Sequence, residues 1–104
     1  MKGEYKVRFP LKRPPTHPGA LMREILEEHV KLPIAEAAQR MGISRQSLYA
    51  ALNGDSALNG DMALLFARLT GGTPDLYVQM QANFDLWQAQ QRLKGALAKM
   101  EPAA

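Results

Sequence analysis

The chain has 104 residues, 46% of them hydrophobic and 22% charged, with a formal net charge of +3; that is the composition of one globular domain with a single modest core, not of a disordered chain. There is no cysteine, so disulfides, thiol nucleophiles and thiolate metal ligands are excluded. No apolar run approaches the roughly 20 residues needed to cross a bilayer.

The charge excess lies at the start. Lys2, Lys6, Arg8, Lys12 and Arg13 stand against Glu4 alone, whereas Arg23, Lys31, Arg40 and Arg45 are balanced by Glu24, Glu27, Glu28 and Glu36. Residues 1–15 read as a basic, Pro-rich arm, which suits an anionic partner and a solvated tail equally. Its YKVRF segment alternates like a strand with nothing to pair with, so extended chain is expected. Residues 1–19, although positively charged, lack the continuous apolar stretch of a signal peptide, and the cytoplasm is the expected location.

From Thr16 the pattern is helical throughout. Pro18, preceded by Thr16 and His17, starts a first helix carrying Leu21, Ile25 and Leu26 on one side. Pro33 disfavours helical geometry at Leu32 and ends it. A second helix runs from Ile34 to Met41, and Gly42 supplies the tight turn. Ser44 caps a third that stops at Asn53-Gly54, and Asn59 caps a fourth with Met62, Leu65, Phe66 and Leu69 on its inner face. After Gly71-Gly72, Thr73-Pro74-Asp75 opens a long fifth helix with Leu76, Met80, Phe84 and Trp87 on a stripe, running on towards Leu93 and Leu97. The expected fold class is all-α, a five-helix bundle over residues 16–90, with residues 91–104 as a helical extension or tail.

Two short helices around Gly42 form a helix-turn-helix pattern. Ala38 is small enough for a close crossing, Gly42 makes the turn, and Ile43, Leu48 and Leu52 fill the space between the helices, joined by Met41 and Ala51. Arg45, Gln46, Ser47, Tyr49 and Ala50 then point outward from the third helix, where side chains reach base edges in a major groove. Arg45 suits a bidentate contact to guanine and Gln46 one to adenine; Tyr49 suits a thymine methyl or a phosphate, and Ser44 and Ser47 suit phosphate oxygens. Any αα-hairpin also wants a small residue and a glycine at its crossing, but the flanking helices and the polar outer face favour DNA. Arg45 is the only fixed charge on that helix, so one unit binds weakly. A pair on two half-sites is expected, with Arg40, Lys31 and the arm on phosphates.

No catalytic or metal constellation emerges. His17 reads as a helix-opening residue and His29 as a C-terminal dipole partner. Ser44 and Ser47 lack a neighbouring base. Gly71-Gly72-Thr73-Pro74 lacks the lysine and strand of a phosphate loop, and Asp55, Asp61 and Asp75 are too scattered for a calcium loop. On the last helix the apolar residues outrun what a small bundle covers, so Phe84, Trp87 and Leu93 are expected at a dimer contact.

Taken together, His17-Pro18-Gly19, Ala38-x3-Gly42-Ile43-Ser44-Arg45, Leu52-Asn53-Gly54, Asp61-Met62-Ala63-Leu64 and Thr73-Pro74-Asp75 through Gln81 resemble the HigA-type antitoxins, a branch of the Cro/CI-like helix-turn-helix (XRE) superfamily. The resemblance covers about Thr16 to Gln90. It implies a lambda-repressor-like DNA-binding domain, dimeric and without enzymatic activity or cofactor, that represses its own operon and neutralises a RelE-like mRNA endonuclease. This chain departs from the family in having Asp55-Ser56 where a basic residue is frequent, Ala50 where arginine is, and Tyr77 in place of tryptophan.

Overall fold

The computed structural model describes residues 14–104; the expectations for the first thirteen residues of the arm fall outside them. Among the described residues there are six helices and no strand: α1 Pro18–Glu24, continued by a π-helical turn over Ile25–His29, then α2 Ile34–Met41, α3 Arg45–Leu52, α4 Gly60–Thr70, α5 Pro74–Arg92 and α6 Lys94–Lys99. The all-α class is as expected.

Local chemistry sets the boundaries. His17 caps α1: its ring Nδ1 accepts the Gly19 amide at 2.9 Å, and Pro18 fills the first turn. Gly42 takes the left-handed conformation at φ 75° after α2, with Ile43 N–H donating to the Ala38 carbonyl at 3.0 Å and Gly42 N–H to that of Gln39 at 3.1 Å. These paired bonds are a Schellman stop. α3 ends alike, with Asp55 N–H on the Ala50 carbonyl and Gly54 N–H on that of Ala51. Ser44 and Asn59 cap α3 and α4 through the Ser47 and Met62 amides. Thr73 stands before α5 but its side chain makes no cap bond, so Pro74 and Asp75 define that start.

The core joins Met22 of α1, Leu26 of the π-helical turn, Ala37, Ala38 and Met41 of α2, Leu48 and Leu52 of α3, Leu58, then Ala63, Phe66 and Ala67 of α4, and Tyr77 of α5. Phe66 and Tyr77 meet edge to face, ring centres 5.4 Å apart, the arrangement aromatic quadrupoles favour.

Several expectations are corrected here. Leu76 is exposed and Tyr77 takes its place inside, because the larger ring buries more area and finds Phe66. Leu65 faces outward, while Ala63 and Ala67 face in and let α4 approach its neighbours closely. Met22 and Leu26 centre the α1 stripe, with Leu21 and Ile25 beside them at its edge. The last helix breaks at Leu93, and α6 beyond it is exposed at every residue. The end of α1 also widens: Val30 N–H donates to the Ile25 carbonyl at 2.9 Å, five residues back. Lys31 then turns left-handed at φ 53°, and Leu32 N–H returns to the Leu26 carbonyl at 3.0 Å.

Candidate nucleic-acid interface

Two close approaches hold α3 in place. Ala38 is buried where α2 crosses it. Gly19 of α1 lies against the C-terminal end of α3, where an added Cβ would overlap the Ala51 carbonyl oxygen and stand 2.7 Å from that of Leu52. Leu48, Ala51 and Leu52 are buried and Ile43 is half-buried, so one side of α3 is anchored in the core. Of the five motif positions, Ala38, Leu48 and Leu52 are buried, Ile43 is half-buried, and Gly42 is the exposed left-handed turn between α2 and α3.

The opposite side of α3 is open. Ser44, Arg45, Gln46 and Ser47 are exposed, as is Tyr49 at 45%. Ala50 is half-buried and its carbonyl already accepts the Asp55 and Ser56 amides, so it offers less surface than its spacing suggests. Ser44 is spent locally: its Oγ accepts Ser47 N–H at 3.0 Å and its hydroxyl donates to Ser47 Oγ at 2.9 Å. The hydroxyl hydrogen left over for a ligand belongs to Ser47. Arg45 and Gln46 occupy the first two positions of α3, where main-chain N–H groups have no partner within the helix.

Arg40 is exposed at the end of α2, 3.9 Å from Glu36 and with both side chains more than half exposed. Such a pair is worth ~0–1 kcal/mol and does not tie the guanidinium down. Arg23 reaches Glu27 at 3.5 Å and also donates to the Asn53 side chain.

Spacing alone did not disclose the anchoring of the loop after α3. The His17 ring, which caps α1 through Nδ1, points Nε2 at the Ser56 carbonyl 3.1 Å away. It also faces Gly54 and meets Phe84 edge to face at 5.2 Å. With Arg23 on Asn53, α1 grips that loop at two points. A second clamp is Gln81, whose Oε1 accepts Leu58 N–H at 2.7 Å while its Nε2 donates to Asp85 at 2.8 Å. A buried glutamine in an apolar stripe was the available signal, since such a group needs partners.

Of the expected pairing residues, Phe84 is half-buried against His17 within the protomer, Trp87 is half-buried, and Leu93 is exposed. Among the described residues no group of three His, Asp or Glu could hold a metal ion, and no helix is long and apolar enough to cross a membrane.

A core-anchored helix that follows a glycine turn, with its polar edge outward, defines the helix-turn-helix class. The helix-turn-helix family model matches residues 22–77, and the chain belongs to that family. An uncharacterized HTH-type transcriptional regulator of Haemophilus influenzae is 29% identical over 93 residues, 88% of this chain and 87% of that protein. The solved structure of an addiction module antidote protein of the HigA family from Coxiella burnetii superposes with a TM-score of 0.77 at 27% identity, covering 86% of this chain and 99% of that one. Antitoxin GraA, solved in complex with its operator, shares the fold with a TM-score of 0.76 at 24% identity, over 91% and 99% of the two chains. These relatives are named as regulators or antidotes, not as enzymes.

Proposed function

We propose that this protein is a sequence-specific repressor that reads operator DNA with the N-terminal half of α3. The observation that carries this reading is the two-sidedness of α3: Leu48, Ala51 and Leu52 are locked in the core while Arg45, Gln46, Ser47 and Tyr49 face out. In the groove Arg45 takes the O6 and N7 of a guanine and Gln46 the N6 and N7 of an adenine, each contact discriminating by about 1–3 kcal/mol. The Ser47 hydroxyl, Arg40, Lys31 and the basic arm contact phosphates. One α3 carries a single fixed charge, so the protein acts as a homodimer on half-sites about 34 Å apart. The operator complex of GraA supports the same use of this fold.

Within that class we assign the chain to the HigA-type antitoxins: it represses its own operon and neutralises a RelE-like, ribosome-dependent mRNA endonuclease in the cytoplasm. The antidote from Coxiella burnetii supports this. Fluorescence anisotropy against the DNA upstream of its own gene, across a salt series, tests the repressor. Expected is tight binding that Arg45→Ala and Gln46→Ala each weaken on the matched sequence only. Sequence-independent micromolar binding indifferent to both substitutions would leave a helical interaction module. Coexpression with the adjacent reading frame tests the antitoxin: a small basic protein that co-purifies, and arrests growth when expressed alone, is expected. Absence of such a neighbour leaves a stand-alone regulator.

A further inference from the structure

We propose that the end of α5 carries a second nucleic-acid site, a stacking platform for single strands built on Trp87. It lies on other helices than α3 and does not rest on the operator reading. Trp87, Gln88, Gln91 and Arg92 line one open depression of about 630 Å³, as roomy as a small-ligand site of about 300–1,000 Å³. Helical spacing explains the lining. Gln91 follows Trp87, and Arg92 follows Gln88, by one turn of α5, so two adjacent rows on one face make the depression. Lys94 and Lys99 come next on α6, both exposed.

Each residue type here has a use for an unpaired nucleotide. An indole offers a flat π surface on which any base stacks, and half-burial of Trp87 anchors the ring while leaving part of it open. Each glutamine amide carries both donors and an acceptor for a base edge. Gln79 and Gln81, earlier in the helix, are hydrogen-bonded within the protein. Gln88 and Gln91 are exposed and have no such partner among the described residues. Arg92, Lys94 and Lys99 form no ion pair there either, and from Arg92 onwards only Glu101 offsets them. The acid before them on α5, Asp85, already accepts the Gln81 amide at 2.8 Å. A ring, two amides and a run of cations are the parts with which proteins track a single strand.

The same parts speak against other occupants. A base inside a duplex is paired and stacked and cannot reach the indole. An acidic peptide would meet the cations but leave the ring and the amides unused. A second copy of this chain would bring a second set of the same cations to the site.

Trp87 is the only tryptophan of the chain, so its fluorescence reports the site directly. Thymidine and uridine homo-oligomers of about ten nucleotides, a length such platforms cover, are titrated into the full chain at about 50 mM salt. Saturable quenching is expected, and the tighter strand tells whether the site prefers DNA or RNA. With three phosphates neutralised, log K should fall with log salt at a slope of about −2. Anisotropy of an end-labelled strand then reads the variants. Trp87→Ala should weaken binding at least about fivefold and Trp87→Phe recover most of that loss. Arg92→Glu combined with Lys94→Glu should weaken it at least about tenfold. Thermal unfolding by circular dichroism checks the fold, and the exposed pair carries the test should Trp87→Ala unfold.

No quenching up to about 100 μM strand overturns the proposal. So does equal quenching by a glutamate oligomer of matching length, which would leave a polyanion site only. Quenching that follows protein concentration without any strand overturns it too, by seating a second copy on Trp87. A strand that ignores the α5–α6 substitutions and is lost in Arg45→Ala would belong to α3. The proposal expects Arg45→Ala to keep the strand, so its failure and that of operator binding are read apart.

Discussion

Substituting Gly19 with alanine reverses the usual sign of a helix substitution. Inside α1, replacing glycine by alanine should gain up to ~1 kcal/mol from helix propensity alone. The structure predicts a net loss, because the new Cβ would overlap the Ala51 carbonyl oxygen and approach that of Leu52 to 2.7 Å. Both obstacles are main-chain atoms at the end of α3, so no side-chain rotation relieves them. Relief requires α1 and α3 to separate, or the Schellman bonds that close α3 to distort. Overpacking of this kind costs about 3 kcal/mol, the upper end of its usual range, leaving a net destabilisation of roughly 2 kcal/mol after the propensity gain. For a domain of this size that lowers Tm by roughly 8–16 °C. Urea and thermal unfolding followed at 222 nm measure it. Gly95→Ala in α6 is the control, since nothing lies within 4 Å of a Cβ there; it should leave Tm unchanged or slightly raised. A Gly19→Ala protein as stable as the wild type would refute the close packing of α1 on α3.

Other substitutions test separate joints of the molecule. Gln81→Leu removes the acceptor of the buried Leu58 N–H and should cost about 1–3 kcal/mol by urea denaturation, despite the more apolar residue. Lys31→Gly relieves a left-handed lysine at φ 53° and should stabilise by up to ~1 kcal/mol, seen as a higher urea midpoint with unchanged slope. His17→Ala should cost about 0.5–2 kcal/mol for the lost cap, and His17→Asn should recover part of it while leaving the Ser56 carbonyl without its ring partner. Leu48→Ala opens a cavity beneath α3 and should cost about 2–5 kcal/mol.

The parts of this fold governed by local rules were legible in the sequence. Gly42, Ser44 and Asn59 each act where a turn or cap needs that residue type, and Ala38, Leu48 and Leu52 follow from helical spacing. The errors fall where two neighbouring apolar residues compete for one inward position. Leu76 and Tyr77 both fit a period of 3.6; Phe66, brought from another helix, settles it for the tyrosine. Leu65 lost to Ala63 and Ala67 because close helix approach favours small residues, which carry little weight in a hydrophobic pattern. Long-range polar contacts left no periodic trace at all. The bonds from His17 to Ser56 and from Gln81 to Leu58 span 39 and 23 residues, and only the oddity of a buried glutamine hinted at one of them. Within the candidate site, the exposure of Arg45, Gln46, Ser47 and Tyr49 was readable from spacing. The local use of Ser44's hydroxyl and the partial burial of Ala50 depend on cap and loop geometry that spacing does not encode.

The most direct test of the α3 reading is a map of backbone amide shifts as a duplex carrying the upstream DNA is titrated into the labelled protein. The largest changes are predicted along residues 44–49, with smaller ones at Arg40, and Arg45→Ala should shrink them for the matched duplex alone. Changes centred on α5 and α6, with residues 44–49 unmoved at saturation, would contradict it.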